Sequence, residues 1–280
     1  MQNFPAKLLL IGEYSVLLGA PAIAFPLQQL CSAWSFEEGM AIDPEFIKSL
    51  ERNDLLKSIL SFQELKSDLQ NGLKLNSAIP SSYGLGSSGV LCAALLKKYG
   101  PQKPLPLSLV REILVSMESF YHSKSSGLDP LISYYNCGIM VENDIELLHS
   151  TTVCQLKNYQ LYLLDSKIPR STAQYVNLFK EKLKNPSYHI RYEQNIVPLN
   201  KILVNQFLQN ETNRFYSSWV ELSQRSLEYY QEMIPPGVQD IWLKGIETKE
   251  YYVKLCGAGG GGYFLVLSNT SQKEMIKLEF

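Results

Sequence analysis

The sequence predicts a mixed helix-and-sheet fold of globular type, in one large domain or two moderate ones, and three observations carry that expectation. The chain has 280 residues, enough for a substantial core. Short apolar runs bounded by glycine and proline read as strands near both of its ends, at 6–11, 22–25, 252–256 and 263–267. Between them lie stretches whose apolar residues recur at helical spacing.

Each element has its own justification. Gly12 breaks the first strand, and Val16-Leu-Leu-Gly19-Ala-Pro21 turns the chain into the second. Residues 44–71 carry Phe46, Ile47, Leu50, Leu55, Leu56, Ile59 and Leu60 near helical spacing. A short strand at 73–76 leads into a loop opening at Pro80. From Ser88, the residues Val90, Leu91, Ala94 and Leu95 form a helical stripe that Gly100-Pro101 closes. Ser108 reads as the N-cap of a further helix with the stripe Val110, Ile113, Leu114, Met117 and Tyr121. Strand-like segments are expected around 131–141 and 159–165, and mostly helix over 173–232. A domain boundary is expected near 150–157, dividing the chain into 1–155 and 156–280.

Composition narrows the function classes. Hydrophobic residues make up 45% and charged residues 19%, as in ordinary soluble proteins. A formal net charge of −1 gives no global electrostatic case for nucleic acid or an anionic membrane. No apolar run is long enough to span a bilayer, and Met1–Lys7 lacks the marks of a signal peptide. Cys31, Cys92, Cys137, Cys154 and Cys256 are odd in number and scattered, which reads as reduced, mostly buried thiols in a cytoplasmic protein. His122, His149 and His189 have no metal spacing, and the last two read as surface residues.

Three signatures carry chemistry. The first is Lys7-Leu-Leu-Leu-Ile-Gly12-Glu13-Tyr14. The second is Pro80-Ser-Ser-Tyr-Gly84-Leu85-Gly86-Ser87-Ser88-Gly89, running straight into a helix. Small residues that open a helix offer free N–H groups and the positive end of the helix dipole to an anion. No lysine follows these glycines, so this is not a Walker loop. The third is Cys256-Gly257-Ala258-Gly259-Gly260-Gly261-Gly262, five glycines in six positions between two strands. It is read either as backbone passing close to a ligand or the first loop, or as a flexible hairpin tip.

Single residues leave alternatives open. Glu118, on an apolar helix edge, needs a partner. A Mg²⁺ ion shared with phosphate oxygens would serve, and so would a salt bridge or a hydrogen bond to His122. Asp129 precedes a proline and reads as a base for a substrate hydroxyl or as a turn former. Lys7 either snorkels to solvent or faces a carboxylate.

Together these segments resemble the GHMP kinase superfamily, which includes galactokinase, homoserine kinase, mevalonate kinase and phosphomevalonate kinase. All three superfamily motifs stand in order, at 7–24, 80–96 and 255–264. Within the superfamily the chain looks most like mevalonate kinase. Glu118-Ser-Phe-Tyr-His122-Ser-Lys-Ser-Ser126-Gly127-Leu-Asp129 and Asp165-Ser-Lys-Ile-Pro169-Arg170-Ser-Thr172 add to that likeness. The resemblance spans residues 7 to 265 in islands, and 28–75 and 175–250 match nothing in it.

The resemblance implies a two-domain α+β fold, a ribosomal protein S5-like N-terminal domain and a ferredoxin-like α/β-plait C-terminal domain, with the nucleotide held between them. It implies ATP and Mg²⁺ as cofactors and a small-molecule alcohol as partner, with mevalonate, in isoprenoid biosynthesis, the leading acceptor. A homodimer is compatible with it. Asp129 is then the catalytic base and Lys7 its ionic neighbour, lowering its pKa. Ser88 and Glu118 are the magnesium ligands. Pro80, Gly84, Leu85, Gly86, Ser87 and Ser88 wrap the nucleotide phosphates, and Gly257, Ala258, Gly259, Gly260 and Gly261 hold the first loop and the phosphate end. Glu13, Tyr14 and Thr172 stand on the substrate side. The chain departs from the pattern at Tyr14, where mevalonate kinases usually have His. It departs again at Gly89, where Ala is more common, a small change that fits the same space. It is also short for a mevalonate kinase.

Overall fold

The computed structural model describes residues 2–122, 125–148, 156, 158–170 and 172–279. Cys154, His149, Ser171, the Ser123-Lys124 part of the 118–129 motif and most of the 150–157 boundary lie outside them. The chain forms two compact units that alternate along the sequence. The first comprises Met1–Lys7, Pro26–Pro80 and Leu85–Cys137, and the second Leu8–Phe25, Ser81–Gly84 and Gly138–Phe280.

Strands β1 (Phe4–Ile11) and β2 (Ala22–Ser35) each run from one unit into the other. In the first unit the end of β2 pairs antiparallel with β3 (Lys74–Ser77), Trp34 opposite Leu75. The helical stretch expected at 44–71 is three helices, α1 (Pro44–Arg52), α2 (Asp54–Ile59) and α3 (Phe62–Gln70). Asn53 causes the first break: its extended backbone ends α1, and its side chain caps α2 by accepting from the Leu56 N–H. Helix α4 (Ser87–Tyr99) buries Val90, Cys92, Ala93, Ala94, Leu95 and Leu96.

Two expectations are corrected here. Helix α5 (Leu107–Glu118) is capped at Pro106, not Ser108. Pro106 has no N–H to leave unsatisfied, and its carbonyl accepts from the Val110 N–H, so the helix opens two residues earlier. The segment expected as strand from 131 is instead helix α6 (Leu128–Tyr135), and strand β4 covers only Gly138–Val141. Gly127 in the left-handed region turns the chain into α6, and Pro130 sits in its first turn, where it removes no helical bond. Leu131 and Ile132 are fully buried.

In the second unit, Ala22–Ala24 of β2 pair antiparallel with β4, and β4 with β5 (Ile145–Leu148). A second sheet has the order β7-β8-β6-β9, formed by β6 (Gln160–Asp165), β7 (Tyr251–Leu255), β8 (Tyr263–Ser268) and β9 (Ile276–Lys277). Every residue of β7 and β8 is buried, as for strands covered on both faces. The region 173–232 is helical as expected, in α7 (Thr172–Leu183), α8 (Pro186–Asn195), α9 (Val197–Leu208) and α10 (Thr212–Tyr229), and α11 (Pro236–Thr248) follows. Helix α10 is pinned to β7 by polar bonds: Trp219 donates to the Tyr252 carbonyl at 3.1 Å and Ser223 to the Val253 carbonyl at 2.6 Å. Among the described residues, no helix is long and apolar enough to cross a membrane.

Candidate functional site

In the first unit, four sequence-selected residues come together around the start of α4. The Lys7 N–H of β1 donates to the Leu85 carbonyl at 3.0 Å, which ties the glycine loop to the strand. The Lys7 side chain pairs with Asp129, its Nζ 3.0 Å from Asp129 Oδ1. Asp129 sits in the first turn of α6. Its carboxylate lies against Gly86, where an added Cβ would come within 2.9 Å of Asp129 Oδ2. Gly86 has φ +74° and caps α4 without any side-chain hydrogen bond. The leading N–H groups of α4 thus lack a side-chain cap, next to the Lys7–Asp129 pair.

Glu118, the last residue of α5, is buried and accepts from Ser125 Oγ and, at 3.4 Å, from Ser88 Oγ. Burial first, and the nearby Asp129 charge second, push its carboxyl up to about 7, against the pull of the Ser125 bond, of Lys7 and of Ser88. The His122 backbone N–H donates to the Glu118 carbonyl at 3.1 Å, while its ring Nε2 lies 3.2 Å from Ser88 Oγ. Among the described residues, no ion pair neutralises Glu118 within 4 Å, and no group of three or more His, Cys, Asp and Glu could hold a metal. Glu118 and Ser88 therefore fit a cation that takes one carboxylate, one hydroxyl and its remaining ligands from phosphate oxygens and water.

Gly89 leaves no room for a side chain. A Cβ there would come within 2.7 Å of Pro130 N, because α4 and α6 pack backbone to backbone at this point.

In the second unit, Glu13 is buried and ion-paired with Lys254 of β7. Tyr14, at φ +60°, is 5% exposed; its hydroxyl donates to the Ala258 carbonyl at 2.6 Å and its ring packs on Phe179 and Tyr230. The glycine run is no flexible tip. Gly260 N–H donates to the Met233 carbonyl at 2.6 Å and Gly262 N–H to the Ile168 carbonyl at 2.7 Å. Arg170 threads this run: its N–H donates to the Ser82 carbonyl at 2.9 Å and its Nη1 to the Gly259 carbonyl at 3.1 Å. A side chain at Gly84 would overlap its guanidinium. Pro80 is half-buried, Leu85 buried and Ser87 exposed. Thr172 is exposed at the first position of α7.

Sequence reading assigned no role to Lys254, Ser125 or Arg170. Arg170 lies inside a quoted motif, and a basic residue before a helix was its only signal. Lys254 lies in an apolar run, where it could be read only as strand.

The class follows from comparison with known proteins. Residues 53–137 match the family described as the GHMP kinases N terminal domain. The chain has a mixed helix-and-sheet fold that matches the two-domain fold of solved GHMP kinase structures. Among solved structures it is similar to an L. major mevalonate kinase in complex with R-mevalonate, with TM-score 0.65 and 20% identity over 97% of this chain and 88% of that one. A Streptococcus pneumoniae phosphomevalonate kinase in complex with phosphomevalonate and AMPPNP gives TM-score 0.67 and 14% identity over 97% and 92%. A Lactococcus lactis galactokinase complexed with galactose gives 0.65 and 14% over 95% and 84%. No curated protein sequence matches significantly.

Proposed function

We propose that the chain is an ATP- and Mg²⁺-dependent kinase that transfers the γ-phosphate of ATP to an alcohol, with the primary hydroxyl of mevalonate as the leading acceptor. The observation that carries this reading is the Lys7–Asp129 ion pair beside the uncapped start of α4. Phosphoryl transfer asks a protein mainly for positioning and charge neutralisation.

Asp129 Oδ2 takes the proton of the acceptor hydroxyl as its oxygen bonds to the γ-phosphorus. The bond from that phosphorus to the bridging oxygen breaks, and ADP leaves. Lys7 holds Asp129 in place, and offers positive charge to the transferring group. The N–H groups of Ser87, Ser88 and Gly89 meet phosphate oxygens at the start of α4. Ser88 and Glu118 would hold Mg²⁺, which supplies positive charge against the triphosphate. Arg170, by filling the space beside Gly84, keeps that end of the loop against the glycine run.

Asp129→Ala should abolish transfer while ATP binding, followed by calorimetry, persists; unchanged turnover removes Asp129 from the mechanism. Neighbours that include mevalonate, phosphomevalonate and sugar kinases leave the acceptor to experiment. ATP consumption measured with mevalonate, phosphomevalonate, galactose and homoserine names it. Consumption with none of them, alongside intact ATP binding, favours a nucleotide-binding regulatory protein.

A further inference from the structure

Tyr14 stands where mevalonate kinases usually carry His, a position read from sequence as facing the acceptor. Its geometry points elsewhere. The backbone of Tyr14 is in the left-handed region, which is strained for a residue with a side chain and persists only where surroundings hold it. Two contacts do so. The hydroxyl donates to the Ala258 carbonyl at 2.6 Å, inside the glycine run, and the ring lies 4.4 Å from Phe179 and 5.3 Å from Tyr230.

Its neighbour Glu13 is anchored to the same stretch of chain. The Glu13 carboxylate pairs with Lys254 Nζ, which also donates to the Leu255 carbonyl at 2.7 Å and lies 5.5 Å from the Trp219 ring. Both partners are nearly inaccessible, at 6% for Glu13 and 2% for Lys254. The cavity they line with Asn200, Ser226 and Tyr230 has a volume of about 10 Å³. That is room for about one water molecule and not for an alcohol substrate.

We propose that Glu13 and Tyr14 are positioning residues, two teeth of a clamp that fastens the first loop to Lys254 and Ala258. The clamp fixes the backbone of the glycine run, whose Gly259 carbonyl accepts from Arg170, and Arg170 in turn packs against Gly84 of the phosphate loop. The first loop therefore acts on the nucleotide side through the glycine run, and acceptor preference is read by other residues. The substitution of His by Tyr is a change of clamp, not a sign of a different alcohol. The kinetic part of this inference rests on the kinase reading above; the structural part does not.

Two measurements on the full chain test it. Hydrogen exchange at the amides of 257–262 should quicken about tenfold in Tyr14→Phe, the factor expected for one buried hydrogen bond. Glu13→Gln should do the same, and exchange as slow as in the parent in both variants overturns the clamp whatever the protein catalyses. In steady-state kinetics, Tyr14→Phe should raise the KM for ATP several-fold, with acceptor KM and the rank order of acceptors unchanged. A shift in acceptor KM or rank order with ATP KM unmoved overturns the proposal and returns Tyr14 to the acceptor. If the parent protein phosphorylates no alcohol, the kinase reading fails and exchange alone decides the clamp.

Discussion

Glu118 couples stability to pH in a direction opposite to that of most surface carboxylates. Its carboxyl lies at about 7 in the fold against 4.5 ordinarily, chiefly through burial. The folded state therefore holds a proton that the unfolded state releases between those two values. Protonation favours folding, so this contribution is fully present below 4.5 and is lost as pH rises through 7. The gap corresponds to about 3 kcal/mol at most, at about 1.4 kcal/mol per pH unit. Replacing the group by a neutral isostere, Glu118→Gln, removes the penalty. Without added metal and with a chelator present, urea unfolding followed by circular dichroism should find the variant more stable than the parent at about pH 8, by about 2–3 kcal/mol. The difference should shrink towards zero as pH falls to about 5. A difference that stays constant across this range, or a parent more stable at the alkaline end, refutes the assignment of a raised carboxyl to this site.

Other outcomes follow from the same geometry. Mg²⁺ binding without nucleotide, measured by calorimetry, should weaken as pH falls below about 7 because proton and metal compete for Glu118, and Glu118→Gln should abolish that pH dependence. Gly89→Ala should destabilise the fold by about 1–3 kcal/mol, read from chemical denaturation, because its Cβ meets the Pro130 backbone. Gly84→Ala should raise the KM for ATP about tenfold or more, since it combines φ +74° with overlap on the Arg170 guanidinium. Trp219→Phe should cost about 1–3 kcal/mol of stability by leaving the Tyr252 carbonyl without its donor.

Much of this was legible in the sequence, for local reasons. β1, α4 and the strands flanking the glycine run announce themselves through apolar runs that end at glycine. The pairing of Lys7 with Asp129 rested on the resemblance, and the two do lie 3.0 Å apart. What escaped was set by tertiary packing. The eight residues of α6 carry an apolar pair too short to tell helix from strand, and a glycine in a left-handed turn, invisible to periodicity, decides for helix. Lys254 was read only as part of a strand because burial of a lysine depends on a carboxylate from far away in the chain. Tyr14 was read by its place in a motif, whereas its environment comes from Phe179, Tyr230 and Ala258.

The clamp also has a consequence for synthesis. Glu13 and Tyr14 precede their partners Lys254 and Ala258 by 241 and 244 residues along the chain. Until those partners are made, the first loop has a carboxylate and an aromatic ring with no site to enter. The second unit can close only when β7 and the glycine run emerge, so its folding is dominated by distant contacts, which form slowly. A nascent chain halted before residue 254 would leave the segment Leu8–Phe25, with the buried ends of β1 and β2, without part of its packing, a ready target for chaperones and for aggregation.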